Sequence, residues 1–99
     1  MKGIKFLTPA RDEFQEALVY YESQEPGLGS RFAQEVARTI ERILSFPEAW
    51  SFISKRTRRC LVNRFPYGVI YQVRDDELLI VAVMHLHRAP RRWKSRLRP

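Results

Sequence analysis

The chain of 99 residues carries 18 Lys/Arg against 11 Asp/Glu, a net charge of +7, with 44% hydrophobic and 12% aromatic residues. That composition supports one packed core and excludes wholesale disorder, and the length excludes two cores, so a single domain over 1–99 is expected. The only cysteine, Cys60, excludes an internal disulfide, and no stretch approaches the roughly 18 apolar residues of a membrane span.

Lys2 to Leu7 reads as a short strand with Ile4 and Phe6 on one face. Thr8 suits a helix N-cap and Pro9 a first helical position, so a helix is expected from Pro9 to about Ser23. Its apolar residues, Ala10, Phe14, Ala17, Leu18 and Tyr21, fall at spacings of three and four and share a face. Asp12, Glu13 and Glu16 suit the positive end of its dipole. Pro26 and Gly27 break the chain. A second helix is expected from Leu28 to Ser45, with Phe32, Val36, Ile40, Ile43 and Leu44 on one face and Pro47 as its stop. Residues 48–57 read as irregular, with Trp50 and Phe52 covering the core edge. Arg58 to Arg64 alternates as a strand does, and Phe65 to Gly68 reads as a turn. Val69 to Arg74 is a half-buried strand, Asp75 and Asp76 form a tight hairpin turn, and Leu78 to Met84 is apolar on both faces, as in a central strand. Residues 90–99 form a basic tail or a short helix. The order β-α-α-β-β-β implies a two-layer α+β domain, with an N-terminal helical hairpin packed on a small, mainly antiparallel sheet.

Charge divides sharply along the chain. Residues 1–54 hold six Lys/Arg and eight Asp/Glu, a net of −2, while residues 55–99 hold twelve and three, a net of +9. The C-terminal half is therefore the candidate interaction surface. Lys55, Arg56, Arg58, Arg59 and Arg64 offer donors matched to phosphate or carboxylate, but strand alternation sends Arg58 and Arg59 to opposite faces. His85 and His87 lie two apart and share a face. They are candidates for acid–base work beside Arg88, although a buried His85 bonded to backbone is the plainer reading. With no third ligand in view, no metal site is expected. Trp93, among Arg91, Arg92, Lys94, Arg96 and Arg98, either stacks on a nucleobase or anchors the tail. The sequence has no Gly-rich phosphate loop, nucleophile elbow or zinc-binding helix, so no cofactor is expected. Met1 to Pro9 lacks a signal-peptide pattern, and a cytoplasmic home is the expectation.

The succession of motifs resembles a known family. Thr8-Pro9-Ala10, Phe14, Tyr20-Tyr21, Gly27-Leu28-Gly29 before Phe32, and Phe46-Pro47 form its first half. Arg58-Arg59, the run Phe65-Pro66-Tyr67-Gly68-Val69-Ile70-Tyr71, and Ala82 to Arg88 followed by Pro90 and Trp93 form its second. Together they are similar to the RelE/ParE superfamily of type II toxin–antitoxin toxins. The resemblance implies a growth-inhibiting bacterial toxin, with roles such as plasmid stabilisation, neutralised by a cognate antitoxin. ParE-like members poison DNA gyrase, whereas RelE-like members cut messenger RNA on the ribosome. In the RelE-like case Arg59, His85, His87 and Arg88 would carry the chemistry. No Tyr follows residue 71, where many RelE-like members place an aromatic catalytic group, and the Pro26–Gly29 link and the His85-x-x-Arg88 ending look ParE-like. The favoured expectation is thus a gyrase inhibitor without chemistry of its own, with Lys55, Arg56, Arg58, Arg59, Arg64, Arg88 and Trp93 as target-binding residues. The alternative is a ribosome-dependent endoribonuclease, and a third reading is a plain nucleic-acid-binding module.

Overall fold

Alternation of apolar residues and two turns with left-handed backbone give the sheet its shape. The computed structural model describes residues 3–88 and 92–97, with Arg92 described by its backbone alone. Lys2, Pro90, Arg91 and Arg98, assigned above to the first strand or the tail, lie outside the described residues. The strands are β1 (Gly3–Phe6), β2 (Arg58–Leu61), β3 (Tyr67–Arg74) and β4 (Glu77–His85). The helices are α1 (Thr8–Gln24) and α2 (Leu28–Ser45), and a 3₁₀ helix spans Arg92–Leu97. The element order is the expected one.

The sheet order is β1-β4-β3-β2. β1 runs parallel to β4, and the other two pairings are antiparallel. Asp75 and Asp76 both take left-handed φ, 50° and 63°, the geometry that a two-residue hairpin turn between β3 and β4 requires. In β4, Tyr71 pairs with Ile80 and Ile70 with Ala82, so Val81 is an extra, bulged residue. The bulge reverses the parity of the strand. Leu78, Ile80 and Val83 thereby all join the core under the helices, while Leu79, Val81, Ala82 and Met84 join a second cluster on the opposite face.

The helical hairpin covers the first face through Ala10, Ala17, Phe32, Val36, Ile40 and Ile43. Its tight link is fixed by Glu22, near the end of α1. One carboxylate oxygen accepts from the Gly29 N–H at 3.0 Å and the other from the Gly27 N–H at 3.0 Å. These bonds satisfy orphan donors at the start of α2. A Cβ on Gly29 would lie 2.7 Å from the Leu18 carbonyl oxygen, so the two helices approach as closely as a glycine permits.

Four local expectations are corrected. Thr8 is the first helical residue rather than the cap; Leu7 holds that place without a side-chain bond, and the first turn of α1 contains no acidic residue. The sheet reaches only Leu61, because the Val62 N–H bonds the Tyr67 carbonyl and closes a turn in which Arg64 takes φ 69°. Tyr67 and Gly68, assigned above to a turn, open β3. Phe52 does not cover the core; it bridges Arg58 at the sheet margin and is 55% exposed.

Candidate functional site

The basic residues of the C-terminal half separate into several places, because alternation and the loops send them to different faces. The Arg58–Tyr71 and Arg59–Ile70 pairs are adjacent rungs of the β2–β3 ladder. Arg58 turns toward the helical side, where its guanidinium donates to the carbonyls of Glu48 at 3.0 Å and Trp50 at 2.7 Å. It also stacks on Phe52, 3.7 Å from the ring centroid. Arg59 takes the other face, over Gly68, where a Cβ would meet its side chain at 3.1 Å.

Lys55 and Arg56 sit at the tip of a reverse turn closed by Ile53 and Ser54 N–H bonds to the Thr57 carbonyl. Thr57 is fully buried, and its hydroxyl accepts from Gln72 at 2.8 Å, which pins the turn to β3. Lys55, Arg56, Arg58 and Arg74 therefore border one groove of about 590 Å³, with Pro47, Phe52 and Tyr71 among its apolar lining. The Tyr71 hydroxyl donates to the Pro47 carbonyl at 2.7 Å, and burial, opposed by the nearby Arg58 charge, pushes its pKa up to about 12.

Arg59 and Lys94 line a separate cavity of about 250 Å³ with His85, Ile70 and Met84. The His85 ring meets Tyr67 edge to face at 5.3 Å and His87 at 5.7 Å. Its Nδ1 accepts the His87 backbone N–H at 3.1 Å, which requires that nitrogen to be unprotonated. Desolvation, reinforced by the charges of Arg88 and His87, holds the His85 pKa below its ordinary value. Arg88 lies in a third groove, between α1 and β4, with Glu13, Glu16, Tyr20, Tyr21 and Tyr67. Burial raises the pKa of Tyr21 and Tyr67, against a smaller opposing pull from Arg88. Arg64 lies elsewhere again, with Arg31, Arg38 and Phe65 beside the start of α2.

The expected sites are thus only partly assembled. Lys55, Arg56 and Arg58 come together, Arg59 and His85 share a cavity, and His85 and Arg88 share another. His87 lines neither of those cavities. Trp93, expected among the target-binding residues, is 3% exposed and packs into the second cluster with Ile70, Leu79 and Met84, so it anchors the tail. Among the described residues no three His, Cys, Asp or Glu side chains gather closely enough to hold a metal ion. Among them, too, no helix is long and apolar enough to cross a membrane.

Comparison with known proteins decides the family. The family described as ParE toxin of type II toxin-antitoxin system, parDE, matches residues 4–90. The chain belongs to the ParE toxin family. Among solved structures, one described as "Chromosomal ParDE TA system from P. aeruginosa" superposes with a TM-score of 0.75. It is 13% identical and the alignment covers 88% of this chain and 98% of that one, a likeness of fold. Among curated proteins, none matches the chain. Membership in a toxin–antitoxin family implies an antitoxin partner for this ParE-family toxin.

Two features of this ParE-family fold escaped the sequence reading. Arg74 joins the Lys55 groove because β3 runs antiparallel to β2 and continues past Arg58, which sets its end beside residues 52–58, a placement that needs the strand register. Glu13 and Arg96 form a bidentate ion pair at 2.7 and 2.8 Å. Arg96 also donates to the Val81 carbonyl at 3.1 Å, and Glu13 accepts the Val83 N–H at 3.1 Å. β1 pairs with β4 only as far as Ile80, so these two side chains take over where the strand stops. No local motif signals a contact between residues so far apart in sequence.

Proposed function

We propose that this ParE-family toxin inhibits DNA gyrase by binding it, performs no chemistry of its own, and is neutralised by its cognate antitoxin. The supporting observation is the dispersal of the groups a ribonuclease would need. Arg59 and Arg88 lie in different cavities, and His87 lines neither. The His85 nitrogen facing the chain accepts a backbone bond. General acid–base catalysis needs its partners within reach of one phosphate, and binding does not. A supercoiling assay with purified gyrase and stoichiometric toxin tests this: inhibition is expected, relieved by the product of the open reading frame next to the toxin gene. Unimpaired supercoiling refutes the gyrase target, and failure of that product to co-elute with the toxin refutes the partner.

One observation favours the nuclease alternative. Arg59, Lys94 and His85 do share one cavity, a cationic setting with one titratable ring. That reading expects ribosome-dependent cleavage of messages in a translation extract, lost in Arg59→Ala and His85→Ala. Intact messages, or full cleavage by both variants, would exclude it.

A further inference from the structure

The groove bordered by Lys55, Arg56, Arg58 and Arg74 is more than a patch of solvated charge. Among the described residues only two carboxylate–cation pairs form, Glu35–Arg38 and Glu13–Arg96, so none of these four cations is neutralised by an ion pair. Their positions are fixed by the fold. Lys55 and Arg56 ride a turn pinned by buried Thr57, and Arg58 is held by two backbone carbonyls. Arg74 is braced by Nε donating to the Gln72 amide oxygen at 2.7 Å. Carbonyl and amide partners orient a guanidinium without cancelling its charge. The Phe52–Arg58 stack adds a flat platform at the rim, with Phe52 more than half exposed. Two carboxylates, Glu48 and Asp75, also line the groove, so its balance is four cations to two anions.

We infer that this groove binds single-stranded nucleic acid, with Lys55, Arg56 and Arg74 on successive phosphates and an unpaired base on the Phe52–Arg58 platform. Each half of the inference follows from the chemistry. Cations in excess over the two carboxylates, and ion-paired to neither, match a chain of phosphates, and release of condensed counterions drives such binding. An exposed aromatic paired with a guanidinium offers a stacking surface that any unpaired base satisfies and a duplex cannot use. An acidic peptide would satisfy the cations but leave the platform idle. The inference goes beyond the gyrase reading, which names a protein target and assigns the toxin no nucleic-acid ligand.

The test is fluorescence anisotropy of labelled oligothymidylate, twelve nucleotides long, titrated with the full-length toxin across a salt series. Three phosphate contacts give a slope of log K against log salt of about −2, falling to about −0.7 in the Lys55→Ala/Arg56→Ala variant. Phe52→Ala should weaken binding about tenfold, while Phe52→Tyr should not. Glu48→Gln with Asp75→Asn, which removes both carboxylates, should tighten it. A matched duplex should bind more weakly and ignore Phe52. The inference is overturned if oligothymidylate fails to bind at low salt, or if binding survives Lys55→Ala/Arg56→Ala unchanged. It is also overturned if polyglutamate competes as well per charge, or if Phe52→Ala has no effect; circular dichroism of each variant separates lost contacts from lost folding. Supercoiling assays on the same preparations keep the two proposals apart. Gyrase inhibition without oligothymidylate binding sinks this inference alone, and the converse sinks the gyrase reading alone.

Discussion

Substituting Arg96 tests how the tail is held. Its guanidinium makes two charge-assisted bonds to Glu13 and one to the Val81 carbonyl, and its side chain is 10% exposed, against 21% for Glu13. Arg96→Met keeps the length of the side chain but leaves the Glu13 carboxylate with only the Val83 N–H. Removing one partner of a fully buried pair costs about 3–5 kcal/mol. Water reaches part of Glu13, so the lower figure of about 2 kcal/mol is the better expectation. In a domain of this size that corresponds to a fall in Tm of about 8–16 °C. Glu13→Gln should cost less, because the amide oxygen still accepts a bond from Arg96 or from Val83. The double variant should be milder than the sum of the two, with a coupling of about 1–2 kcal/mol in a denaturant-based cycle. Trp93 supplies a second readout: loss of the clamp should shift its fluorescence to the red as the 3₁₀ helix lifts from the sheet. Two additive losses, each under about 0.5 kcal/mol, would refute the clamp, since that is the range of a surface substitution.

Three further outcomes follow from single contacts. Gly29→Ala sets a gain of about 1 kcal/mol in helix propensity against a Cβ only 2.7 Å from the Leu18 carbonyl; backbone cannot yield as a side-chain tip can, so net destabilisation in urea is expected. His85 has a depressed folded pKa, so its contribution to stability is present above the unfolded value near 6.5 and is lost as pH falls through the folded value. Melting profiles between pH 5 and 8 should therefore show a decline on acidification that His85→Gln reduces. Tyr71→Phe should cost about 1 kcal/mol through loss of the bond to Pro47, and absorbance titration of the wild type should show one tyrosine resisting ionisation until about pH 12.

The fold was legible where a local rule had no rival. The apolar period of three and four in α2, the Pro26–Gly27 break and the Asp75–Asp76 turn each have one cheap solution, and the structure adopts it. Splitting of Arg58 from Arg59 was equally legible, because strand alternation leaves no other choice. What the sequence hid depends on meetings between distant segments. Glu13 looks like a helix-start carboxylate until Arg96, 83 residues later, is brought to it. Glu22 looks like a solvated charge until the link folds its own amides onto it. Phe52 was misplaced for a related reason: an aromatic beside a core usually enters it, but Arg59 N–H bonds the Ser51 carbonyl and the resulting bridge turns Phe52 outward. The site was legible in composition and not in grouping. Charge counts picked out residues 55–99 as the basic half of the chain, and only register could assign each cation to a face.

That grouping changes what the +9 excess of residues 55–99 means for binding. Arg96 is spent on Glu13, and Arg58 has part of its donor set committed to carbonyls. Arg58 nevertheless keeps its full charge, because a carbonyl orients a guanidinium without neutralising it. A charge of this kind contributes to the field that draws an anionic partner in, even where it makes only part of a direct contact. Lys55 and Arg56, at the tip of their turn, are exposed and available for direct contact. Field and contact have separable signatures: loss of a steering charge lowers the association rate and its salt dependence, while loss of a buried contact raises the dissociation rate. The fold thus uses one run of basic sequence in two ways, as a broad attraction shared by several faces and as a few donors grouped on one of them. An acidic antitoxin and an anionic target would both respond to the first, and only a partner of the right shape would use the second.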